Sequence, residues 1–223
     1  MKSYIKNWWY YYKWYVICGS ILICIFIHLI GNAFGWFKMS PDIQIAYIGE
    51  TSLPADTVTA LENAFSSLAE DYNHDGEILI QINQFISGNP NDMDEDTVSY
   101  RQASTISLMG DINDCESYFF LIENPDAIQK EFQVLAMPDG SCPDSTDFST
   151  EDKVFQWKSC KLLSHMELGN YTTTLLGKTE SGSNQEHLAN LYLGRRCFYD
   201  ERHCDYSDKC SELWDKLQKE IQK

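Results

Sequence analysis

The sequence lacks the motifs that would assign a function directly. It contains neither a glycine-rich phosphate-binding motif of the Walker or dinucleotide type nor a Gly-x-Ser-x-Gly nucleophile motif. No Cys-x-x-Cys pair is present, so the cysteine spacing does not support a zinc site. His165, His187 and His203 are too scattered to be paired with a nucleophile. These absences favour a non-enzymatic function over an enzymatic one.

Basic residues are also scarce in most of the chain. The whole chain carries a charge of −16, and residues 1–40 contain four lysines and no acid, so residues 41–223 carry −20. Because a nucleic-acid-binding surface needs clustered Lys and Arg, this balance excludes nucleic acid as a partner. The acidic surface is expected to keep the domain soluble, with docking of a partner protein as the alternative.

One long stretch, residues 14–35, contains no Lys, Arg, Asp or Glu. In a helix these residues would span about 33 Å, which is the thickness of a bilayer core. Aromatic rings favour the headgroup layer of a membrane, and they stand on both sides of the stretch. The pattern therefore predicts a transmembrane anchor over residues 14–37 with two aromatic belts: Trp8, Trp9, Tyr10, Tyr11, Tyr12, Trp14 and Tyr15 on one side, Trp36 and Phe37 on the other.

The lysines indicate the direction of this anchor. Three lysines precede the apolar stretch, and only Lys38 follows it before the acidic region. By the positive-inside rule, residues 1–13 are expected in the cytoplasm and residues 38–223 outside, in a single-pass protein of the cell membrane. A cleaved signal peptide is the alternative, because Ala33 and Gly35 are small residues at the positions that signal peptidase reads. The length of the stretch and its aromatic start favour an uncleaved anchor.

Six cysteines lie outside the apolar stretch, and an even number in an exported domain predicts disulfides. Fifteen complete pairings are possible. Local closure favours a Cys142–Cys160 pair, with Cys197 joined to Cys204 or Cys210. A metal site is the rival interpretation, although its spacing is unusual. The disulfide candidates are Cys115, Cys142, Cys160, Cys197, Cys204 and Cys210.

The exported region begins with the pattern of a β-α-β unit. Residues 43–49 form an apolar run that ends in glycine, which is typical of a buried strand. Val58, Leu61 and Phe65 recur at steps of three and four and predict a helix with one apolar face. A second strand is predicted at residues 77–85. This order implies a parallel pair of strands with a right-handed crossover.

The remaining patterns extend this α/β domain. A helix is predicted at residues 97–109, with Val98, Ala103, Ile106 and Met109 as its apolar positions. An apolar strand at residues 118–122 is followed by a short helix that Asn124 caps. Further strands are expected near residues 133–136, 154–157 and 191–198, with turns between the last two, and a helix at residues 205–222. The fold class is therefore predicted as α/β: one transmembrane helix, then a single three-layer domain with a mostly parallel central sheet.

Asp71, Asn73 and Asp75, followed by Gly76, match the opening of an EF-hand calcium loop. Alternating oxygen donors around a glycine turn suit a hard cation. The twelfth position of the loop, which should be a bidentate acid, is Ile82. The alternative is a turn in which these side chains hydrogen-bond to their own backbone.

The segments IQIAYIGETSLPADTVTALENAF, DYNHDGEILIQIN, DINDCESYFFLIENPDAIQ and LYLGRRCFY resemble a family of uncharacterised, single-pass anchored proteins of Gram-positive bacteria. Over about residues 42–137 the order of elements is also similar to the first lobe of the extracellular solute-binding proteins of ABC transporters. Solute-binding proteins close two lobes over a ligand, whereas this region holds little more than one. The resemblance implies that the ligand is bound after the first and third strands, by Glu50, Thr51, Ser52, Glu123 and Asn124.

These observations lead to three functional hypotheses. The first is a membrane-tethered extracytoplasmic binding or accessory domain, without a cofactor, that recognises a small solute or a neighbouring membrane protein. The second is a cell-envelope hydrolase that uses acidic residues, supported by a calcium ion at Asp71, Asn73 and Asp75. The third is a subunit whose acidic face docks a partner. The single basic doublet of the domain, Arg195-Arg196, is expected to form surface ion pairs, or alternatively to bind an anion.

Overall fold

A computed structural model describes residues 2–33, 40–88, 94–175, 178–200 and 202–221. The chain forms two compact units, Met1–Ser40 and Pro41–Lys223.

The first unit is one helix, α1 (Lys2–Ala33). Its segment Trp8–Ile30 is long and apolar enough to cross a membrane, a property that signal sequences share. Large apolar side chains such as Leu22 and Phe26 are exposed along it. The helix begins before the predicted anchor does, so residues 2–13 are helical as well. The second aromatic belt lies outside the described residues.

The second unit is a mixed α/β domain. Its elements, in chain order, are β1 (Ile43–Gly49), α2 (Ala55–Ser66), β2 (Ile80–Ile86), α3 (Glu95–Asp114), β3 (Phe119–Ile122), α4 (Pro125–Phe132), β4 (Val154–Gln156), α5 (Lys161–Ser164), β5 (Asn170–Leu175), β6 (Lys178–Ser183), α6 (Asn184–Leu188), β7 (Tyr192–Arg195) and α7 (Ser207–Lys219).

Five strands form the central sheet, in the order β2-β1-β3-β7-β4. β1 is parallel to both β2 and β3, whereas β7 is antiparallel to β3 and to β4. Four of the five strands therefore run in one direction, which confirms the mostly parallel sheet. β5 and β6 pair separately as an antiparallel hairpin.

Successive side chains along the central strands point to opposite faces of the sheet, and both faces are buried. On β1, Ile45 and Tyr47 face one core cluster, while Ala46 and Ile48 face the other. Phe65 of α2 is fully buried in the first cluster, and burying a side chain of that size stabilises the fold by about 1.5–3 kcal/mol. The second cluster contains residues of α3 and α4. Helices thus cover both faces of the sheet, which gives the three layers.

The helix α3 is longer than predicted, and its predicted apolar face is wrong. Its fully buried positions are Leu108 and Asp111, whereas Ile106 and Met109 are exposed. The reason is that Asp111 is turned inward to pair with Arg196, at 3.5 Å. A buried ion pair thus overrides the hydrophobic periodicity.

The predicted surface role of the doublet is wrong, since Arg195 and Arg196 are both 3% exposed. The guanidinium of Arg195 lies over the ring of Trp214 and donates to the carbonyl oxygens of Met137 and Pro138. Arg196 donates to Ser117 O at 2.9 Å and pairs with Asp111. Both guanidinium groups are therefore buried, and their partners are groups inside the domain.

Two segments differ from the expected elements. The strand predicted near residues 133–136 contains a single bridge, Leu135 with Arg196. The stretch expected to consist of turns contains the β5–β6 hairpin and two short helices, α5 and α6. The strand β5 reads Asn-Tyr-Thr-Thr-Thr-Leu, and it lacks the apolar alternation that would signal a strand.

Candidate functional site

The carboxyl ends of β1, β2 and β3 meet at one edge of the sheet, where a cleft of about 580 Å³ opens. We call it the strand-end cleft. Its walls are the loops that follow the three strands, Arg101 of α3, and three residues of α4: Ala127, Ile128 and Glu131. In open α/β sheets, ligands bind outside the carboxyl ends of the strands, so this is where a binding site is expected.

Three of the five ligand residues implied by the sequence line this cleft: Glu50, Glu123 and Asn124. Thr51 and Ser52 are exposed on the same loop, and they are not among the described residues that line the cleft. The structure therefore brings together the ends of the first and third strands, and a ligand site there stays a prediction.

Both carboxylate oxygens of Glu123 are held by hydrogen bonds. Oε1 accepts a hydrogen bond from the Tyr47 hydroxyl at 2.8 Å, and Oε2 accepts one from the Glu50 backbone N–H at 2.8 Å. Burial, followed by the hydrogen bond to Glu123, raises the pKa of Tyr47 above its usual value. The hydroxyl therefore stays protonated and remains a donor, which fixes the orientation of the carboxylate.

Gly49 permits this close arrangement. A Cβ atom at residue 49 would collide with the Tyr47 hydroxyl and would lie 2.7 Å from Glu123 Oε1. The loop after β1 is attached to β2 by Leu53, a buried residue whose backbone N–H donates a hydrogen bond to Gln84 Oε1 at 2.9 Å. The floor of the cleft is thus tightly packed at the end of β1.

Asn124 has a structural contact as well as a place in the cleft. Its side-chain oxygen accepts a hydrogen bond from Ala127 N at 3.2 Å and caps α4, as the sequence predicted. This cap anchors the start of α4, the helix that forms one wall of the cleft.

Sequence reasoning did not identify three polar residues of the cleft, Ser87, Arg101 and Glu131. Arg101 Nε donates to the backbone oxygen of Ser87 at 2.7 Å, so α3 is joined to the loop after β2. Arg101 and Glu131 lie inside helices, and the sequence pattern around them does not indicate that they face a cleft. The described lining therefore carries three carboxylates, from Glu50, Glu123 and Glu131, and one guanidinium.

The predicted calcium residues form a hydrogen-bonded turn. Asp71 accepts from Asp75 N at 3.2 Å and Gly76 N at 2.9 Å, while Asn73 Oδ1 accepts from Asp75 N at 2.9 Å. Within the described part of the chain, no three His, Cys, Asp or Glu side chains are grouped to hold a metal ion. The contacts fit the alternative of a backbone-bonded turn, and the calcium site stays a prediction.

The buried carboxylate of Asp42 supports this turn from inside. Its Oδ1 accepts hydrogen bonds from Tyr72 N at 2.7 Å and Asn73 N at 3.1 Å, and Oδ2 accepts one from Leu79 N at 2.8 Å. Asp42 therefore attaches the turn to the start of β1, although the sequence analysis did not single it out.

The six candidate cysteines carry free thiols, so the predicted disulfides are not seen. Cys160 is buried and donates to Leu217 O at 3.5 Å, while the Cys142 thiol lies beside that of Cys197. The two cysteines of the favoured Cys142–Cys160 pair therefore have different neighbours.

Comparison of the chain with protein families, with curated proteins and with solved structures found no match.

Proposed function

We propose that this protein is a membrane-tethered binding protein whose acidic domain binds a small, positively charged solute in the strand-end cleft. The observation that carries the proposal is the convergence of Glu50, Glu123 and Arg101 on one cleft at the carboxyl ends of three parallel strands. The resemblance of the sequence to one lobe of a solute-binding protein agrees with this site.

The charge of the cleft supports a cationic ligand. Three carboxylates face one guanidinium among the described lining residues, so the net charge there is negative. An ammonium group can donate charge-assisted hydrogen bonds to such carboxylates. The single Arg101 suits a carboxylate on the same ligand, because a guanidinium presents its donors in a planar fork. A diamine or a basic amino acid has this chemistry.

The geometry supports binding in preference to hydrolysis. Glu123 is held by the Tyr47 hydroxyl and the Glu50 N–H, an arrangement that favours a fixed acceptor over a group that must gain and lose a proton. The cleft is also concave and of the size of a small-molecule site, which favours a solute over a flat protein surface.

The apolar helix α1 supports the membrane tether. Its span Trp8–Ile30 is long enough to cross a bilayer, and lysines precede it. We expect the chain to stay in the membrane pellet after alkaline carbonate extraction, and a protease added to intact cells to digest the acidic domain. Release of the chain by carbonate would contradict the tether, and protection of the domain from the protease would contradict its location outside the cytoplasm. Neither result bears on the cleft.

The binding proposal is tested on the 223-residue chain in detergent micelles, with putrescine, L-lysine and succinate as probes in isothermal titration calorimetry. We expect putrescine and L-lysine to bind, and succinate not to bind. E50Q removes one carboxylate of the cleft and should weaken putrescine binding at least tenfold. E116Q, at an exposed acid that does not line the cleft, is the matched control and should bind as the wild type does.

Binding of succinate as tight as that of putrescine would overturn the charge argument. Equal weakening by E50Q and E116Q would place the ligand elsewhere on the acidic surface. Absence of binding by all three probes would contradict the proposed solute class.

A further inference from the structure

Two cysteines that are far apart in the sequence lie side by side in the domain. Besides burial, the Cys142 side chain raises the pKa of the Cys197 thiol, as only a neighbouring group can, and the segments that carry the two cysteines are hydrogen-bonded to the same residues. Cys142 belongs to the loop before β4, and Cys197 follows β7. The sequence spacing favoured other partners for both cysteines, and it is the fold of the domain that brings these two together.

One short segment, residues 133–137, holds both cysteines in place. On one side, Cys197 N donates to Val134 O at 2.8 Å, and Cys197 Sγ donates to Gln133 O at 3.4 Å. On the other side, Gln133 Nε2 donates to Ser145 O at 2.9 Å, and Met137 N donates to Ser141 O at 2.9 Å. The loop that carries Cys142 and the strand end that carries Cys197 are therefore fixed against the same segment.

We propose that Cys142 and Cys197 form a disulfide bond when the domain meets a disulfide-bearing oxidant outside the cytoplasm. The reaction is thiol–disulfide exchange. The Cys142 thiolate attacks an R–S–S–R oxidant to form a mixed disulfide and release one thiol, and Cys197 then attacks the Cys142 sulfur and releases the second. Two protein thiols are oxidised, one oxidant disulfide is reduced, and the two protons end on the two released thiols.

The surroundings of the two thiols fit this order of attack. Cys142 is half-buried, whereas Cys197 is 5% exposed. Burial, followed by the neighbouring Cys142, raises the pKa of Cys197 to about 12. The more accessible Cys142 is therefore the first nucleophile. Cys197, which is almost fully buried, then acts as the second nucleophile, on the mixed disulfide at Cys142.

The other cysteines have different neighbours. Cys160 donates to Leu217 O at 3.5 Å, and Cys204 donates to Ser117 O at 3.4 Å, both in buried positions. Cys210 is 1% exposed on α7. Cys115 donates to Arg202 O at 3.9 Å, is a neighbour of Cys204 and lines the same small cavity as Cys197, so Cys115 is the main competing partner for both of these thiols.

The test is peptide mapping of the 223-residue chain after oxidation by oxidised glutathione, followed by alkylation of the remaining thiols. Trypsin places each of the six cysteines in a different peptide. We expect a linked species made of residues 131–153 and residues 197–202, which disappears on reduction. The same species is expected when exported protein is alkylated in intact cells.

A link between other cysteines in place of this one, including Cys115–Cys204, overturns the proposal. Alkylation of both Cys142 and Cys197 in exported protein overturns it as well. A second measurement uses stability: reductant should lower the melting temperature of the oxidised wild type by about 5–15 °C. C142S and C197S should lose this response, whereas the control C115S should keep it.

Discussion

The hydroxyl group of Tyr47 donates a 2.8 Å hydrogen bond to Oε1 of Glu123 and thereby joins the end of β1 to the residue that follows β3. The same hydroxyl is 2.9 Å from Thr51 O. One phenol therefore connects the loop after β1 with the acid that follows β3 in the strand-end cleft. In the binding site proposed above, the Glu123 carboxylate is thus oriented before a ligand arrives, which would lower the cost of ordering it on binding.

The first prediction concerns this hydroxyl. Y47F leaves Glu123 without its Oε1 donor, so we expect the free energy of unfolding to fall by about 1–2 kcal/mol. Putrescine binding should weaken because the carboxylate is no longer held. Urea unfolding and calorimetry measure the two effects. The control is Y100F, at a tyrosine that is 61% exposed, and it should change neither. Wild-type binding by Y47F would show that this orientation is unimportant.

The second prediction concerns the close contact at Gly49. In G49A, the new methyl group meets the Tyr47 hydroxyl and Glu123 Oε1, so these side chains must move. We expect a loss of about 1–3 kcal/mol in unfolding free energy, together with loss of putrescine binding. G110A is the matched control, because a Cβ there meets nothing within 4 Å. It should stabilise α3 by about 0.5–1 kcal/mol. Equal effects of the two substitutions would contradict the packing argument.

The third prediction concerns alkaline pH. Burial raises the pKa of the Cys210 thiol from 9.0 to about 12. The unfolded chain therefore releases this proton at a lower pH than the folded one, and the stabilisation present below pH 9 is lost as the pH rises to about 12. One such thiol contributes a slope of up to about 1.4 kcal/mol per pH unit.

Urea unfolding in the presence of reductant, at several pH values between 8 and 11, measures this slope. C210A should give a shallower dependence than the wild type, although it is less stable at every pH because of the cavity it leaves. C24A, in α1, should leave the slope unchanged. Parallel curves for wild type and C210A would contradict the assignment to Cys210.

The fourth prediction separates the two interpretations of the Asp71 turn. D71A removes the acceptor of two backbone N–H groups, so we expect a loss of about 1–2 kcal/mol in unfolding free energy, equal with calcium and with a chelator. The control is D215A, at an exposed aspartate, and it should not change the unfolding free energy. If the sequence prediction of a calcium site is right, calcium will instead raise the melting temperature of the wild type, and D71A will abolish that rise.

The fifth prediction concerns the ion pair between Asp111 and Arg196, both 3% exposed. D111A leaves a buried guanidinium without its carboxylate, and we expect a loss of about 3–5 kcal/mol. D200A breaks the exposed pair between Asp200 and Arg202, at 2.8 Å, and should cost only about 0–1 kcal/mol. Chemical denaturation measures both. Similar losses of unfolding free energy in D111A and D200A would mean that burial does not increase the contribution of the Asp111–Arg196 pair to stability.

Local signals in the sequence predicted the parts of the fold that depend on local chemistry. The apolar run of β1, the apolar strand β3 and the Asn124 cap of α4 are confirmed, because each is set by neighbouring residues. The ends of strands were therefore predictable, and with them the places of Glu50 and Glu123 at the cleft.

Non-local contacts account for the remainder. Arg101 and Glu131 reach the cleft only because α3 and α4 pack at a particular rotation, which periodicity does not encode. The inward turn of Asp111 depends on Arg196, whose position is 85 residues away in the chain. The neighbourhood of Cys142 and Cys197 likewise depends on how their segments meet at residues 133–137.

The burial of consecutive arginines has a consequence for the single reversed strand. Arg195 points to the Trp214 side of the sheet, and Arg196 points to the Phe120 side. A slip of β7 by one residue exchanges its two faces. A slip in one direction would place Cys197 where Arg196 now lies and would leave Asp111 without a positively charged partner. A slip in the other direction would place Gly194 where the Arg195 side chain now packs. The doublet therefore permits only one alignment of β7 against β3.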